Sequence, residues 1–399
     1  MKRRLLILAS LVVVLAATAM LLLRRGGSAP SRTTPVILIS IDTLRSDRLP
    51  VYGYDKVSTP NLDAFRADAI LYERAYSHCP LTLPSHASMF TGLLPADHGI
   101  RDNIGFTLPE KVPTLPALLK ANGYATAAAV SAFVLRKGTG IARGFDAYDD
   151  EVEPIDTFQV IARVQRSGGE TVAAARKWLD QHDPEKPFFY FLHLYDPHTP
   201  YEPPEPFRSQ YKANPYDGEI AYTDHVIGEF LDYLKEKGIY DKALIMILAD
   251  HGEGLNDHRE EEHGIFLYRE AIQVPLIVKL PGNARAGTSV SATAGLADVF
   301  STILEQTATP RPAGHKDSVS LLSLIDSDAK RNIYSETYYP RMHFGWSDLH
   351  SLTDGDHHLI RAPIPELYDL RKDPRETKNV MNEERRTYTA MRNAIEPFV

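Results

Sequence analysis

The stretch VILISIDTLRSDRLPVYGY (36–54) decides the fold of this 399-residue chain. Its first six residues, VILISI, form a short apolar run without polar alternation, which predicts a strand buried on both faces. Similar apolar runs recur along the chain. The predicted strands are 36–41, 125–130, 188–194, 243–249 and 274–280.

Helical patterns lie between these strands, at 169–182 and 217–237. Strands that alternate with helices predict an α/β fold with a largely parallel sheet flanked by helices. The pattern changes at about residue 311, where shorter segments rich in Tyr, His and Pro begin. We therefore expect a main domain over 35–310 and a smaller C-terminal α+β subdomain over 311–399.

Polar side chains follow several of the predicted strands. Asp42 follows the first strand, Asp250 and His251 follow 243–249, and Asp196 and His198 follow 188–194. Since ligands collect at the carboxyl ends of parallel strands, these residues predict a shared site. Asp250 and His251 could also form an ordinary turn after a strand.

The block TLPSH (82–86) opens a predicted helix with a hydroxyl residue. Pro84 fits the first turn of a helix. There the Thr82 hydroxyl would lie near free N–H groups and the positive end of the helix dipole, which together bind anions. Thr82 could instead serve only as a helix cap.

The composition excludes some classes of protein. Hydrophobic residues make up 43% and charged residues 24%, which is ordinary for a globular protein. Cys79 is the single cysteine, so no intrachain disulfide can form. Without the basic residues of 1–25 the chain carries 39 basic and 52 acidic residues, a net charge of −13. This balance argues against nucleic acid as a partner.

The N-terminus contains an uncharged apolar run, LLILASLVVVLAATAMLLL (5–23), between basic residues. Nineteen such residues are about enough to cross a bilayer as a helix. We predict a signal anchor over 1–25, a linker over 26–34, and a single-pass membrane protein whose catalytic domain is exported. A cleaved signal peptide is the alternative, since Ala17-Thr18-Ala19 is similar to a cleavage site.

Five stretches together resemble the sulfatase family of the alkaline phosphatase superfamily. They are VILISIDTLRSDRLPVYGY (36–54), PLTLPSHASMFTG (80–92), HLYDPHTPYEPP (193–204), ILADHGEG (247–254) and ELYDLRKDPRETKNV (366–380). The resemblance implies an alkaline-phosphatase-like α/β domain, a C-terminal domain with an antiparallel sheet, and a metal site at the carboxyl edge of the main sheet. It also implies that Asp42, Thr82, Asp250 and His251 are metal ligands and that Thr82 is the nucleophile.

The chain departs from that family at several positions. Thr82 stands where sulfatases have the Cys or Ser that becomes formylglycine, so we expect no formylglycine. His86 replaces the arginine of the same block, and the usual lysine after 123–127 is absent. Asp42 is followed by Thr43 instead of a second acid. Thr as nucleophile resembles the phosphodiesterase and phosphoethanolamine-transferase branches of the superfamily.

The chemistry of these residues predicts a covalent mechanism. The Thr82 hydroxyl would attack sulfur or phosphorus, and water would then cleave the ester at that central atom. Threonine lacks the second hydroxyl by which formylglycine releases sulfate, which favours phosphate esters, whereas the resemblance favours sulfate esters. A divalent metal ion is expected: Asp and His suit Zn²⁺ or Mn²⁺, while the family's sulfatases use Ca²⁺.

Further residues have two interpretations each. His198 and His263, with His86, are predicted as catalytic residues, with His198 and His263 contacting substrate and protonating the leaving group. Asp196, His198 and His263 could instead hold a second metal ion. Arg45 and Asp196 are predicted to bind substrate, although Arg45 could form a surface ion pair.

Two further segments are expected to lie in loops. His258 and the acidic run 260–262 are expected to form a solvated loop. His343, Phe344 and Trp346 either line the substrate pocket or pack one domain against the other.

These observations predict a metal-dependent hydrolase of sulfate or phosphate esters that forms a covalent intermediate on Thr82. Two alternatives stay open. One is a transferase that passes a phospho-group to a lipid or glycan, and the other is an inactive binding protein that keeps the fold.

Overall fold

The computed structural model of the protein describes residues 30–152, 165–315, 317–327 and 330–399. The strands in these residues are β1 Val36–Ile41, β2 Ile70–Tyr72, β3 Ala75–Tyr76, β4 Ala125–Val130, β5 Ala147–Asp149, β6 Phe188–Leu194, β7 Leu244–Ala249, β8 Gln273–Val274, β9 Leu276–Lys279, β10 Ser289–Val290, β11 Ala294–Gly295, β12 Ile333–Thr337, β13 Leu349–Thr353, β14 His357–Arg361 and β15 Glu366–Asp369. The α-helices in the same residues are α1 Pro60–Ala67, α2 Thr82–Thr91, α3 Pro95–His98, α4 Leu115–Ala121, α5 Gly168–Gln181, α6 Phe207–Gln210, α7 Pro215–Glu236, α8 Arg269–Ile272, α9 Asp298–Gln306, α10 Tyr339–Phe344 and α11 Arg385–Ile395.

The main sheet has eight strands in the order β10-β2-β9-β7-β1-β6-β4-β5. Strand β1 lies in its middle and pairs in parallel with β6 on one side and β7 on the other. All six residues of β1 are buried, as are all those of β6 and β7. The predicted largely parallel, helix-flanked sheet is therefore confirmed, because strands covered on both faces are continuous apolar runs.

Strands β1, β4 and β6 have the predicted bounds, and β7 begins one residue later than predicted. The predicted strand 274–280 is wrong in part. Pro275 divides it into β8, which joins a small sheet with β3, and β9, which runs antiparallel to β7. Proline has no N–H to donate to a ladder, so the chain changes sheets at this residue.

The C-terminal part forms a second sheet of four antiparallel strands, β12-β13-β14-β15. Helix α11 packs on it through Met391 and Ile395, which join a buried cluster with Tyr334 and Leu352. The expected C-terminal antiparallel sheet is thus present, while the boundary at residue 310 stays a prediction.

The predicted location in the membrane is wrong. In residues 30–152, 165–315, 317–327 and 330–399, no helix is both long and apolar enough to cross a bilayer. The longest of these helices, α7, has 22 residues but carries several acidic side chains. The run 5–23, on which the prediction was based, lies outside the described residues.

The loop between His251 and α8 also differs from expectation. Glu260 is buried, and its carboxylate accepts hydrogen bonds from the amides of Ile265 (2.6 Å) and Phe266 (3.1 Å). His258 bonds the Glu270 carboxylate at 2.6 Å and stacks on Tyr268 at 3.8 Å between ring centroids. The expectation of a solvated loop is therefore wrong for His258 and Glu260, while Glu261 and Glu262 are exposed as expected.

His258 should make stability depend on pH. Although burial opposes its charge, the Glu270 carboxylate raises the pKa of His258 to about 9. A raised folded-state pKa contributes stability that is complete below the unfolded value of about 6.5 and is lost as pH rises through about 9. We expect the free energy of unfolding of the wild type to fall by about 1 kcal/mol more than that of His258→Gln between these limits. Urea denaturation at both pH values measures this, and equal pH dependence of the two proteins would contradict it.

Candidate active site

The register of the central strands brings two carboxylates together. Ile41 of β1 lies opposite Ala249 of β7, so the residues that follow, Asp42 and Asp250, lie side by side at the carboxyl edge of the sheet. Both carboxylates are fully buried. Thr43, directly after Asp42, has a left-handed backbone (φ 54°), which is unusual for a β-branched residue. Its carbonyl accepts a hydrogen bond from Tyr216 at 2.7 Å, which holds the turn in place.

Thr82 is the first residue of α2, and its hydroxyl points at this carboxylate pair. Its Oγ1 lies 3.4 Å from Asp42 Oδ2 and 3.3 Å from His251 Nε2. Helix α2 is fixed to the end of β7 because Ser85 Oγ donates to the Asp250 carbonyl at 2.8 Å. The structure thus brings together the four residues that were predicted to hold a metal ion: Asp42, Thr82, Asp250 and His251.

The glycine after His251 is required by a close approach of two backbone segments. A Cβ on Gly252 would lie 1.9 Å from the Glu270 carbonyl oxygen. The Gly252 amide donates to the Ala271 carbonyl at 2.9 Å, which joins this turn to α8. His251 is therefore held at a fixed point between β7 and α8.

Two histidines lie behind the carboxylates. His86 is fully buried, with Nδ1 2.7 Å from the Thr82 carbonyl oxygen and 3.6 Å from Asp250 Oδ2. His193 of β6 lies 3.5 Å from Asp42 Oδ2, and neither of its ring nitrogens has a hydrogen-bond partner. The sequence pattern did not single out His193, because only the pairing of β6 with β1 shows that it reaches Asp42.

His86, His193 and Asp250 are near enough to one another to share an ion. However, a carbonyl oxygen can only accept, so the His86 nitrogen beside the Thr82 carbonyl carries its proton. The other His86 nitrogen lies 2.9 Å from Ser40 Oγ. His86 therefore supports Thr82 and Asp250 from behind, and it lies deeper than the predicted catalytic position.

Two ionised carboxylates are unfavourable in this buried centre unless a positive charge lies beside them. Burial raises the pKa of Asp42, and burial together with the Asp42 charge raises the pKa of Asp250. Burial opposes the charge of His251, but Asp250 and Asp42 raise its pKa above the ordinary value. The three pKa shifts thus indicate that a positive charge between the two carboxylates would stabilise the centre.

Donor chemistry tests whether a metal ion fits here. Asp42 Oδ1 and Asp250 Oδ2 are buried without a hydrogen-bond partner. His251 donates from Nδ1 to the Gly252 carbonyl at 2.9 Å, so its Nε2 lone pair faces both orphaned oxygens, 3.5 Å from each. A lone pair and two carboxylate oxygens around one point are the donor set of a divalent cation. The residues therefore fit a metal ion.

A second pair of histidines borders the centre. The His263 ring lies 4.4 Å from the His251 ring and 5.1 Å from the His198 ring, between centroids. His263 Nδ1 bonds Glu253 Oε1 at 3.0 Å, and the other oxygen of Glu253 accepts from Tyr201 at 2.9 Å. Burial lowers the pKa of His263 well below its ordinary value and that of His198 to about 4. Glu253 and Tyr201 were not predicted, although Glu253 belongs to the ADHGE block.

Asp196 does not join this centre. Its Oδ2 accepts from the Gly168 amide at the start of α5 at 2.9 Å, and the carboxyl is hydrogen-bonded to Glu219. The carboxylate thus stabilises a helix start, in line with the preference of helix N-termini for negative charge. A role of Asp196 in substrate binding stays a prediction that these contacts do not support.

Arg45 is buried and engaged elsewhere. Its guanidinium forms ion pairs with Asp47 (2.8 Å) and Asp257 (2.9 Å). It also donates to the carbonyl of Glu253 at 3.2 Å. Arg45 therefore holds the loop that carries Glu253. The predicted alternative, an ion pair, is present with two half-exposed carboxylates, although the guanidinium itself is buried. Ester binding by Arg45 stays a prediction.

Comparison with known proteins identifies this arrangement. The sulfatase family profile matches residues 34–309, well over half of the chain. The chain belongs to the sulfatase family. A second profile, the C-terminal region of N-sulphoglucosamine sulphohydrolase, matches residues 261–396.

Relatives of known name are sulfatases. The chain is 25% identical to an arylsulfatase of Clostridium perfringens over 442 aligned positions, which cover 88% of this chain and 90% of that protein. It is 23% identical to a Δ4,5-hexuronate-2-O-sulfatase of Bacteroides thetaiotaomicron, with 86% and 84% covered. The chain is thus a sulfatase-like ester hydrolase.

Solved structures show the same fold. A protein solved with its substrate D-glucosamine-2-N,6-O-disulfate superposes with a TM-score of 0.78 at 20% identity, over 92% of this chain and 97% of that one. A phosphonate monoester hydrolase of Agrobacterium radiobacter gives 0.76 at 21% identity, over 92% and 95%. Sulfatases of this family use a divalent metal ion, and the Asp42, Asp250 and His251 cluster is a candidate for its ligands.

Metal content tests the ligand assignment. Asp250→Asn keeps the volume of the side chain but removes its charge and a donor oxygen, so we expect metal affinity to fall at least about a hundredfold. The measurement is metal content of the dialysed proteins by plasma mass spectrometry. Asp196→Asn is the matched control and should keep the wild-type content. Loss of metal in the control with retention in Asp250→Asn would contradict the assignment.

Proposed function

We propose that the chain hydrolyses sulfate or phosphate esters through a covalent ester on Thr82, with a divalent metal ion held by Asp42, Thr82, Asp250 and His251. The observation that supports this most strongly is the position of Thr82 Oγ1, which lies within 3.4 Å of Asp42 Oδ2 and of His251 Nε2. A hydroxyl that merely capped α2 would bond an amide of the first turn, yet no such bond to Thr82 occurs in this described helix.

The bound metal ion would lower the pKa of the Thr82 hydroxyl and offset the negative charge of the ester oxygens. Two carboxylates, an imidazole and a hydroxyl suit Zn²⁺ or Mn²⁺ better than Ca²⁺, which prefers six or more oxygen ligands. His193 and His86 support the two carboxylates from behind, and neither reaches solvent.

The reaction then has two steps. In the first, the Thr82 hydroxyl loses its proton, its oxygen bonds to sulfur or phosphorus, and the bond to the alcohol oxygen breaks. In the second, water attacks the same atom and releases Thr82 with inorganic sulfate or phosphate. Threonine permits no elimination, so both steps occur at the central atom.

His263 is placed to move the proton. Its Nδ1–H donates to Glu253, which leaves Nε2 free to accept a proton during attack and to return it to the departing alcohol. Glu253 would stabilise the charged ring between these events. His198, 5.1 Å away between ring centroids, contacts the same side of the centre.

Replacing the nucleophile gives the first test. Thr82→Ala should lower turnover of p-nitrophenyl sulfate, p-nitrophenyl phosphate and bis-p-nitrophenyl phosphate by at least about a thousandfold, since it removes the hydroxyl that reaches Asp42 and His251. Thr82→Ser keeps the hydroxyl and should stay within about tenfold of the wild type.

Turnover of the same three substrates distinguishes a sulfate esterase from a phosphate esterase. Thr82-dependent turnover of the sulfate would make the chain a true sulfatase with an unmodified nucleophile, whereas turnover of the phosphates alone would assign phosphoesters. Full activity in Thr82→Ala would contradict the covalent mechanism.

The dependence on leaving group tests His263. His263→Gln should lower kcat/KM about a hundredfold or more for a phenyl ester, whose leaving oxygen needs a proton, but less than about tenfold for the p-nitrophenyl ester. Glu253→Gln should change the same ratio in the same direction. His258→Gln, in the same loop, is the control and should keep the wild-type ratio. An equal loss for both esters would assign His263 a structural role.

A further inference from the structure

Four of the six large apolar side chains that are exposed in the described residues belong to α10 or to the segment 345–364 that follows it. Met342 and Phe344 of α10 are 45% and 48% exposed, Trp346 is 60% exposed and Ile364 is 76% exposed. The Phe344 and Trp346 rings lie 5.0 Å apart between centroids. Exposed apolar surface of this kind marks a binding site more often than scattered single residues do. We call these four residues the aromatic shelf.

A cavity of about 290 Å³ adjoins the aromatic shelf. Its apolar lining includes Ile265, Phe266, Pro340, Trp346, Ile360 and Ile364. Its polar side chains include Tyr268 and Glu366, and these bond each other at 3.0 Å. Since these polar atoms already have a partner, the cavity offers dispersion and burial of apolar surface more than hydrogen bonds.

The shelf and cavity are attached to the candidate active site. Ile265 is two residues from His263, which limits their Cα separation to about 7.6 Å. A Cβ on Gly264 would meet Leu81, the residue before Thr82, at 3.1 Å and Tyr339 of α10 at 3.5 Å. Thr337 Oγ1 also donates to the Gly264 carbonyl at 2.5 Å.

A second connection fixes the other end of α10. His343 bonds Asp102 Oδ2 at 2.7 Å, and the next residue, Asn103, accepts from the Leu83 amide at 2.8 Å. Helix α10 is therefore held at both ends against the segments that carry His263 and Thr82. The predicted packing of domain against domain describes His343, through its bond to Asp102, whereas Phe344 and Trp346 are exposed.

We propose that the aromatic shelf and its cavity bind the alcohol part of the ester substrate, and that this part is an apolar alkyl or aryl group. The inference rests on the proposed function, since it assigns the leaving-group side of that site. The wall of the cavity follows His263 directly in the chain, and His263 is the residue placed to protonate the leaving oxygen.

Binding of n-alkylsulfonates tests the proposal without turnover. These compounds carry the anionic head of a sulfate ester but cannot be hydrolysed at an ester bond. Complete burial of a methylene is worth roughly fourfold in affinity, so partial burial should raise affinity about two- to threefold per methylene from ethyl- to octylsulfonate. Calorimetric titration of the metal-loaded protein measures each dissociation constant.

Single substitutions test whether the aromatic shelf causes the gain in affinity with chain length. Ile364→Ser and Trp346→Ala are at exposed positions, where substitution has little effect on folding, and each should reduce the gain in affinity along the series at least about fivefold. Val399→Ser, at another exposed apolar position, is the matched control and should keep the wild-type gain.

Three results would overturn the proposal. They are equal affinity for all chain lengths, an equal gain in Ile364→Ser and wild type, and tighter binding of glucose 6-sulfate than of octylsulfonate with dependence on Trp346. The last result would assign the shelf to a sugar. If turnover depends on Thr82, any of these three results would overturn the shelf proposal but leave the proposed function intact. A gain in affinity with chain length in a protein without turnover would support the shelf proposal and contradict the proposed chemistry.

Discussion

Two buried carboxylates, Asp42 and Asp250, face each other at the ends of adjacent strands, and their repulsion has to be offset. The backbone cannot relieve it, because β1 and β7 are paired along their whole length and buried on both faces. The polar side chains around the two carboxylates help to offset this repulsion. His251 turns its Nε2 toward both acids, Thr82 points its hydroxyl at Asp42, and His86 and His193 close the centre from below.

His86 supports the carboxylates without adding a positive charge. The resemblance implies an arginine in the block that carries His86 and a lysine after 123–127, and this chain has neither. Burial lowers the pKa of His86 to about 3, so its ring is neutral beside Asp250. In the mechanism that we propose for Thr82, a bound metal ion would therefore supply positive charge that His86 does not.

Much of the fold and half of the site could be predicted from the sequence. Strands β1, β4 and β6 are apolar runs with clear ends, so their bounds matched, and the polar residues that follow β1 and β7 met as expected. His193 was not found, because its role depends on the pairing of β6 with β1 and not on any local pattern. The burial of Arg45 and Glu260 was not predicted, for a related reason. A charged side chain in a loop gives no local sign that another loop will cover it.

The central claim is that Thr82 carries the substrate's sulfuryl or phosphoryl group during turnover. The most direct measurement is acid quenching of the protein during steady-state turnover of the active p-nitrophenyl ester, followed by mass spectrometry of the peptide that contains Thr82. We expect a mass increase of one sulfuryl or phosphoryl group on Thr82, lost when substrate is exhausted. An unmodified Thr82 under conditions of continuing turnover, or the group on another residue, would contradict it.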